Sequence, residues 1–350
     1  MYAIISTFSK TFDEVGLVYF VPTFLEGDIK AGMIVEIPLK DQIEIGVVLK
    51  VGNKEELGLE IDESKIKALI SIKNDFLFLK NYRLELLPFI SSHYFTPIHN
   101  SACLFFPKNL REKIEKGKLK ITSSQPSPLE EKELAQNPPS TLKEQGGLAL
   151  AKREYSGVEE VRGGGPKPLS PSQQKAYDEI IKSDKNKILL HGITGSGKTE
   201  IYIHLIKDYL DKGKQTLLLI PEIILTNQLA DRLKQVFGED IIVLNSSVSE
   251  AKKTNYWLDI ESGNAKLIIG TRSALFYPYN NLGLIIVDEE HDNSYISDSS
   301  PRYNGIEVAE KITELNGNKL LLGSGTPSVK SMYRALKGEY KLVNLFEKYT

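Results

Sequence analysis

The decapeptide HGITGSGKTE at residues 191–200 joins small residues, a lysine and a hydroxyl in the spacing G-x-x-x-x-G-K-S/T, with Gly192, Gly197, Lys198 and Thr199 at the fixed positions. That pattern suits a triphosphate. Small residues let backbone N–H groups wrap the phosphates, and a helix starting at the loop adds a favourable dipole. Lys198 neutralises the β and γ phosphates and the Thr199 hydroxyl ligates Mg²⁺. Gly192, Thr194, Gly195, Ser196, Gly197, Lys198, Thr199 and Glu200 are therefore the candidate nucleotide contacts, with ATP and Mg²⁺ the expected cofactors. The competing reading is a glycine-rich strand-to-helix turn that binds nothing.

A second constellation lies in LGLIIVDEEHD, residues 282–292. An acidic residue at the end of a buried apolar run can hold the magnesium, which assigns Asp288 to the metal beside Thr199. Glu289 then stands where a carboxylate polarises the attacking water, so that Lys198 and Glu289 form the candidate catalytic pair and hydrolysis is expected as well as binding. Taken alone, such a cluster is more often a solvated helix start; its pairing with the phosphate loop sets it apart.

These residues need elements that bring them together. KILL (187–190) enters the loop and EIYIHLIKDYL leaves it. Further short apolar runs follow: TLLLI (216–220), IIVL (241–244), KLIIG (266–270), LIIV (284–287) and KLLLG (319–323). Near-continuous apolar strands separated by amphipathic stretches predict a parallel sheet covered on both faces. One of these stretches, ILTNQLADRLKQVFG, places Leu225, Leu229, Leu233 and Val236 on one face and ends at Gly238, a natural cap. Residues 1–110 read differently, with alternating runs such as MIVEIP (33–38) and EIGVVLKV (44–51) predicting a small β-rich domain. Helical spacing follows from Leu79 to Ile90. Between the two regions, 111–168 is rich in Ser, Pro, Gly, Glu and Lys and reads as a flexible linker, or as a tail that orders on binding.

The 350 residues, 41% hydrophobic and 26% charged, suffice for two or three packed domains. No apolar stretch approaches the ~20 residues that span a bilayer, and the opening lacks a leader pattern, so no membrane association and a cytoplasmic location are expected. A single cysteine, Cys103, excludes an internal disulfide and a cysteine-clustered zinc site in this chain. The net charge of −2 leaves nucleic-acid binding to local surfaces, such as the basic run at 108–120, whose plainer reading is the solvated face of a short helix. His93 and His99 lack a clear set of partner ligands and read as packing or surface residues.

The D-E-E-H box is characteristic of superfamily-two helicases, and LSPSQQKAY, IPEIILTNQ, IGTRSALF and GSGTPS fall around it in that superfamily's order. With DEEHDNSYISDSSPRYNG, the set resembles the PriA family of primosomal replication-restart helicases. The resemblance implies an α/β fold, a RecA-like parallel-sheet P-loop lobe (169–350) preceded by a small β-rich domain that binds DNA 3′ ends (1–110). It implies a 3′–5′ ATP-dependent DNA helicase. Forked, single-stranded and 3′-ended DNA would be its ligands, with single-strand-binding protein and primosome proteins as partners. Gln173 would read the adenine, although Gln174 fits as well. Thr226, Thr271 and Arg272 would contact DNA phosphates, with helix capping and internal bonds as their plainer roles. His291, Ser324 and Thr326 would couple nucleotide state to the DNA face. Tyr295, Arg302 and Tyr303 would form a platform for stacking bases.

The amino-terminal segments YFVP, KAGMIVEIP, IGVVLKVG and SSHYFTPIHNSACLFFP are similar to that family's 3′-end-binding domain. Departures occur at Val18, commonly acidic or hydroxylated in the family; at Ile296 and Ser297, commonly Lys and Gln; and at 304–307, where NGIE replaces HARD. The resemblance also implies a winged helix in place of the linker, and a zinc site and a second lobe with arginine fingers beyond residue 350. Zinc is thus expected for the full family and not for this chain. One lobe alone is expected to be a weak ATPase. Two readings stay open: the first part of a restart helicase, or a nucleotide-gated module that binds forks without unwinding them. A P-loop metabolic kinase would leave GTRSALF and GSGTPS without a role.

Overall fold

A computed structural model describes residues 1–9, 11, 15–60, 62–119, 165–222, 227–238 and 241–348, without the side chains of 227–230. Residues 1–72 supply strands β1 (Tyr2–Thr7), β2 (Leu17–Phe20), β3 (Ile34–Leu39), β4 (Gln42–Gly52) and β5 (Ser71–Ile72). They form an antiparallel sheet in the order β2-β1-β4-β3-β5. Neighbouring residues on a strand point to opposite faces. Val35 and Val48 accordingly pack with Tyr19, Val21 and Leu69 on one side, while Ile34 and Val47 join a second core on the other.

Three helices cover that second face: α1 (Tyr82–His93), α2 (Ile98–Phe105) and α3 (Lys108–Glu115). The third crosses residue 110, where the linker was expected to begin, and buries Leu110 and Ile114. Lys108 is exposed and Lys113 partly so, which fits the plainer of the two readings of this basic run, whereas Arg111 is half-buried, its Nη1 donating to Cys103 Sγ at 3.3 Å and its guanidinium lying over the Phe8 ring. Most of the predicted linker, 120–164, lies outside the described residues. In the turn between α1 and α2, Phe95 is 93% exposed and has φ 47°, a left-handed conformation that bulky residues rarely adopt.

The second unit contains β6 (Lys187–Gly192), β7 (Gln215–Leu219), β8 (Ile241–Leu244), β9 (Leu267–Gly270), β10 (Leu282–Val287), β11 (Lys319–Ser324) and β12 (Lys341–Leu345). All pairings are parallel, in the order β12-β6-β11-β10-β7-β9-β8. The helices are α4 (Pro171–Lys182), α5 (Lys198–Asp211), α6 (Asn227–Phe237), α7 (Glu250–Glu261), α8 (Gly305–Asn316) and α9 (Val329–Leu336). The strands are apolar on both faces because both are covered. Leu190, Leu218 and Ile286 pack under α4, α5 and α6, whereas Leu189, Leu217 and Ile285 pack under α7 and α8. This is the expected three-layer α/β lobe, with one strand, β12, that the apolar runs did not mark.

The two units share a core. Trp257 of α7 is fully buried, its rings stack with Phe106 at 6.5 Å, and its Nε1 donates to the Phe105 carbonyl at 3.0 Å. Polar contacts extend the junction, with the Tyr94 hydroxyl 3.0 Å from Glu307 Oε2 and Thr96 Oγ1 3.2 Å from Ser300 Oγ.

Candidate active site

The phosphate loop leaves the carboxyl end of β6 and enters α5 at Lys198, as expected. Gly195 and Gly197 have φ 80° and 79°, a conformation open to glycine, and it lets successive N–H groups curl around an anion. A side chain at Gly192 would be crowded, since a Cβ there would lie 3.0 Å from Ser196 Oγ and 3.3 Å from Leu345 Cβ. The Ser196 hydroxyl is buried without a protein partner, a donor in a loop shaped for phosphate. Thr194 is exposed at the loop's tip.

Lys198 lies almost buried beneath this loop, donating to the Gly192 carbonyl at 2.9 Å and standing 3.2 Å from Glu289 Oε1. The box at the end of β10 is thus beside the loop, as the parallel sheet requires. Asp288 accepts a 2.9 Å hydrogen bond from the Tyr202 hydroxyl, and burial pushes its carboxyl above the ordinary range, opposed by that bond. Glu289 has φ 45° and also accepts from Gly325 N at 3.3 Å. His291 stands between β10 and β11, Nδ1 2.8 Å from Ser324 Oγ and Nε2 3.4 Å from Thr326 Oγ1. The three coupling candidates are therefore in direct contact.

Among the described residues no group of three or more His, Cys, Asp or Glu forms a metal cage. A magnesium would instead be held by Asp288, the Thr199 hydroxyl and phosphate oxygens, a donor set that suits this ion. The buried Ser196 hydroxyl and the glycine-walled loop are the observations that fit a bound triphosphate.

Other candidate residues have protein partners. Gln173 is fully buried, where its Oε1 accepts from Ser170 N at 2.9 Å and its Nε2 donates to the Ser196 carbonyl at 3.0 Å. It caps α4 and props the phosphate loop. Gln174, its alternative, bonds Asp178 on the exposed side of the same helix. Glu200 pairs with Arg232 of α6 at 3.4 Å.

The stacking platform needs correction. Tyr295 is 1% exposed, with its hydroxyl 2.6 Å from the Asp288 carbonyl and 3.2 Å from the Leu219 carbonyl. Tyr303 is also buried, edge-on to Phe276 at 4.9 Å, and burial pushes its phenol up to about 12. Carbonyls at buried strand ends need donors, and a phenol supplies one while filling apolar space. Arg302 alone of the three is exposed. Arg272 Nη1 donates to the Ser294 carbonyl, the plainer of its two readings, and Thr271 is half-buried where β9 ends. Thr226 lies outside the described residues.

The departures have structural roles. Val18 is half-buried in β2 opposite Ile4. Ile296 is half-exposed and bridges Asn304, and Ser297 is buried. Asn304 caps α8 through Ile306 N, and Glu307 meets Tyr94, His93 and Lys330. His99 is buried, its Nδ1 3.4 Å from Thr11 N. Two functional-looking residues escaped the sequence reading. Tyr202 sits four residues after Lys198, hence on the same helix face. Glu290 is buried and accepts from Ser328 N at 2.6 Å and Ser331 Oγ at 2.9 Å, capping α9.

Known proteins match this arrangement. Residues 166–329 match the family described as "Type III restriction enzyme, res subunit", and residues 8–107 match the "3′DNA-binding domain (3′BD)" of PriA. The replication restart protein PriA of Chlamydia pneumoniae is 34% identical over 372 residues, covering 93% of this chain and 49% of that protein. The chain belongs to the PriA family. PriA of Rickettsia conorii is 34% identical over 332 residues, covering 95% of this chain and 44% of its own, and PriA of Bacillus subtilis is 45% identical over 184 residues, covering 51% and 23%. The chain spans about half the length of the PriA relatives that it matches along most of its own length. Among solved structures, RecG bound to a three-way DNA junction is 26% identical with a TM-score of 0.40, covering 53% of this chain and 24% of its own. Among the described residues, no helix is long and apolar enough to cross a membrane.

Proposed function

We propose that the chain is the nucleotide-binding and DNA-end-binding part of an ATP-dependent, 3′–5′ DNA helicase of replication restart. The observation that carries the reading is the convergence of Lys198, Asp288 and Glu289 between the ends of β6 and β10, in a chain related to PriA. The loop N–H groups and Lys198 bind and orient the phosphates. Thr199 and Asp288 would hold magnesium, which would supply charge screening for the transferring phosphoryl group. Glu289 orients the attacking water and accepts its proton. His291 links Glu289 to Ser324 and Thr326, a path from hydrolysis to the strand-end loops where DNA would lie. Residues 1–110 bind DNA ends and 169–350 form the first motor lobe; single-strand-binding protein and primosome proteins are the proposed partners.

An arginine supplied across a cleft would speed this hydrolysis. The rigid junction through Trp257 and Phe105 supports a second reading, a nucleotide-gated module that grips forks without unwinding them. The test is Mg²⁺-dependent ATP binding and DNA-stimulated hydrolysis, compared with Lys198→Ala. Binding lost in the variant supports both readings; strong stimulated turnover and unwinding select the helicase, and binding with little turnover selects the module. Wild-type protein with no affinity for ATP defeats both.

A further inference from the structure

The Tyr202 side chain is buried in the sheet with its hydroxyl 2.9 Å from Asp288 Oδ1. Space for it exists because β11 carries a glycine there. A Cβ on Gly323 would fall 1.8 Å from the Tyr202 hydroxyl oxygen and 2.9 Å from its ring carbon. Leu320, Leu321 and Leu322 before it are fully buried, and a glycine amid such a strand weakens it unless something approaches closely. The close neighbour is this phenol. A buried phenol needs a hydrogen-bond partner and a buried carboxylate needs donors, so each group satisfies the other. The remaining local support for the Asp288 carboxylate is the Glu289 backbone N–H and the charge of Lys198.

We propose that Tyr202 is a positioning residue that fixes the orientation of the Asp288 carboxylate toward the divalent cation, with Gly323 as the notch that admits it. Partners of this kind fix a ligand before the metal arrives, and their loss typically weakens metal binding by about 10–100-fold. Lys198 and Tyr202, one turn apart on α5, thus address the two halves of the site: one the phosphate, the other the carboxylate that holds the metal. The inference rests on the nucleotide-binding reading above and adds a separate claim to it.

The test is Tyr202→Phe in the 350-residue chain, which keeps the ring and removes the hydroxyl. The Mg²⁺ concentration giving half-maximal ATP hydrolysis should rise by about tenfold, while ATP binding in EDTA stays at the wild-type value. Gly323→Ala, which pushes the phenol from its notch, should raise the Mg²⁺ requirement in the same direction. An unchanged Mg²⁺ requirement in Tyr202→Phe overturns the inference. So does an equal loss of ATP binding with and without Mg²⁺, which would mark a purely structural residue. Wild-type protein that binds no ATP instead removes the nucleotide-binding reading itself.

Discussion

Lys198 and Glu289 form an ion pair across the site, Nζ to Oε1 at 3.2 Å, with both side chains mostly withdrawn from water. On the proposed function the same ammonium meets the β and γ phosphates, so an arriving triphosphate would compete with the carboxylate for it. Glu289→Gln removes the competitor and the proton acceptor together. On the proposed function, nucleotide should then bind several-fold more tightly while hydrolysis falls by about 10²–10⁴-fold. A fluorescent-nucleotide titration and a single-turnover assay measure the two effects, and weaker binding in the variant would refute the competition.

Tyr295 supports the end of β10 from inside and has no face for a base. Tyr295→Phe should cost about 1–2 kcal/mol of stability in denaturant unfolding and leave single-stranded DNA affinity unaltered at equal folded fraction. Arg302→Ala should do the reverse, since Arg302 is the exposed member of the set. Fluorescence anisotropy with a labelled oligonucleotide distinguishes them.

Phe95 carries left-handed backbone strain while its ring contacts little protein. Phe95→Asn should stabilise the chain by roughly 0.5–1 kcal/mol, because asparagine tolerates that conformation better. A lower thermal midpoint in the variant would show that the ring has a structural role.

Glu36 on β3 accepts from Lys73 Nζ at 2.5 Å and from Ser71 Oγ at 2.6 Å, and these bonds hold its carboxyl below the usual range. A lowered folded-state pKa gives stability that is present above the unfolded pKa and is lost as pH falls through the folded one. Glu36→Gln should therefore be less stable than wild type near neutrality, by about 0.5–1 kcal/mol for a pair still partly open to water. The difference should close in acid. Urea midpoints across pH 3–7 measure it, and a pH-independent gap would mean that the charge contributes nothing.

The phosphate loop, the acidic box and the strands that carry them were legible because a strand buried on both faces must be almost wholly apolar, as in Leu217, Leu218 and Leu219. β12 escaped because it lies at the sheet edge, where Asn344 is exposed and only Val343 and Leu345 are buried. The sense of the aromatic loop was not legible either. Tyrosine and arginine close together in sequence compose a stacking surface and a buried hydrogen-bonded wedge equally well, and Tyr295 proved to be the wedge only once the carbonyls of Leu219 and Asp288 were in place. Gln173 and Glu290 illustrate the same limit, since a polar residue near a site can face the ligand or brace the scaffold.

The indole of Trp257, clamped among Phe78, Phe105 and Phe106 and bonded to a carbonyl of α2, leaves no slack between the small antiparallel sheet and the lobe. Whatever displacement the lobe undergoes, the small sheet must travel with it as cargo bolted to a chassis. On the proposed function, any play between the DNA end and the motor lobe would have to come from the nucleic acid itself or from chain outside this joint.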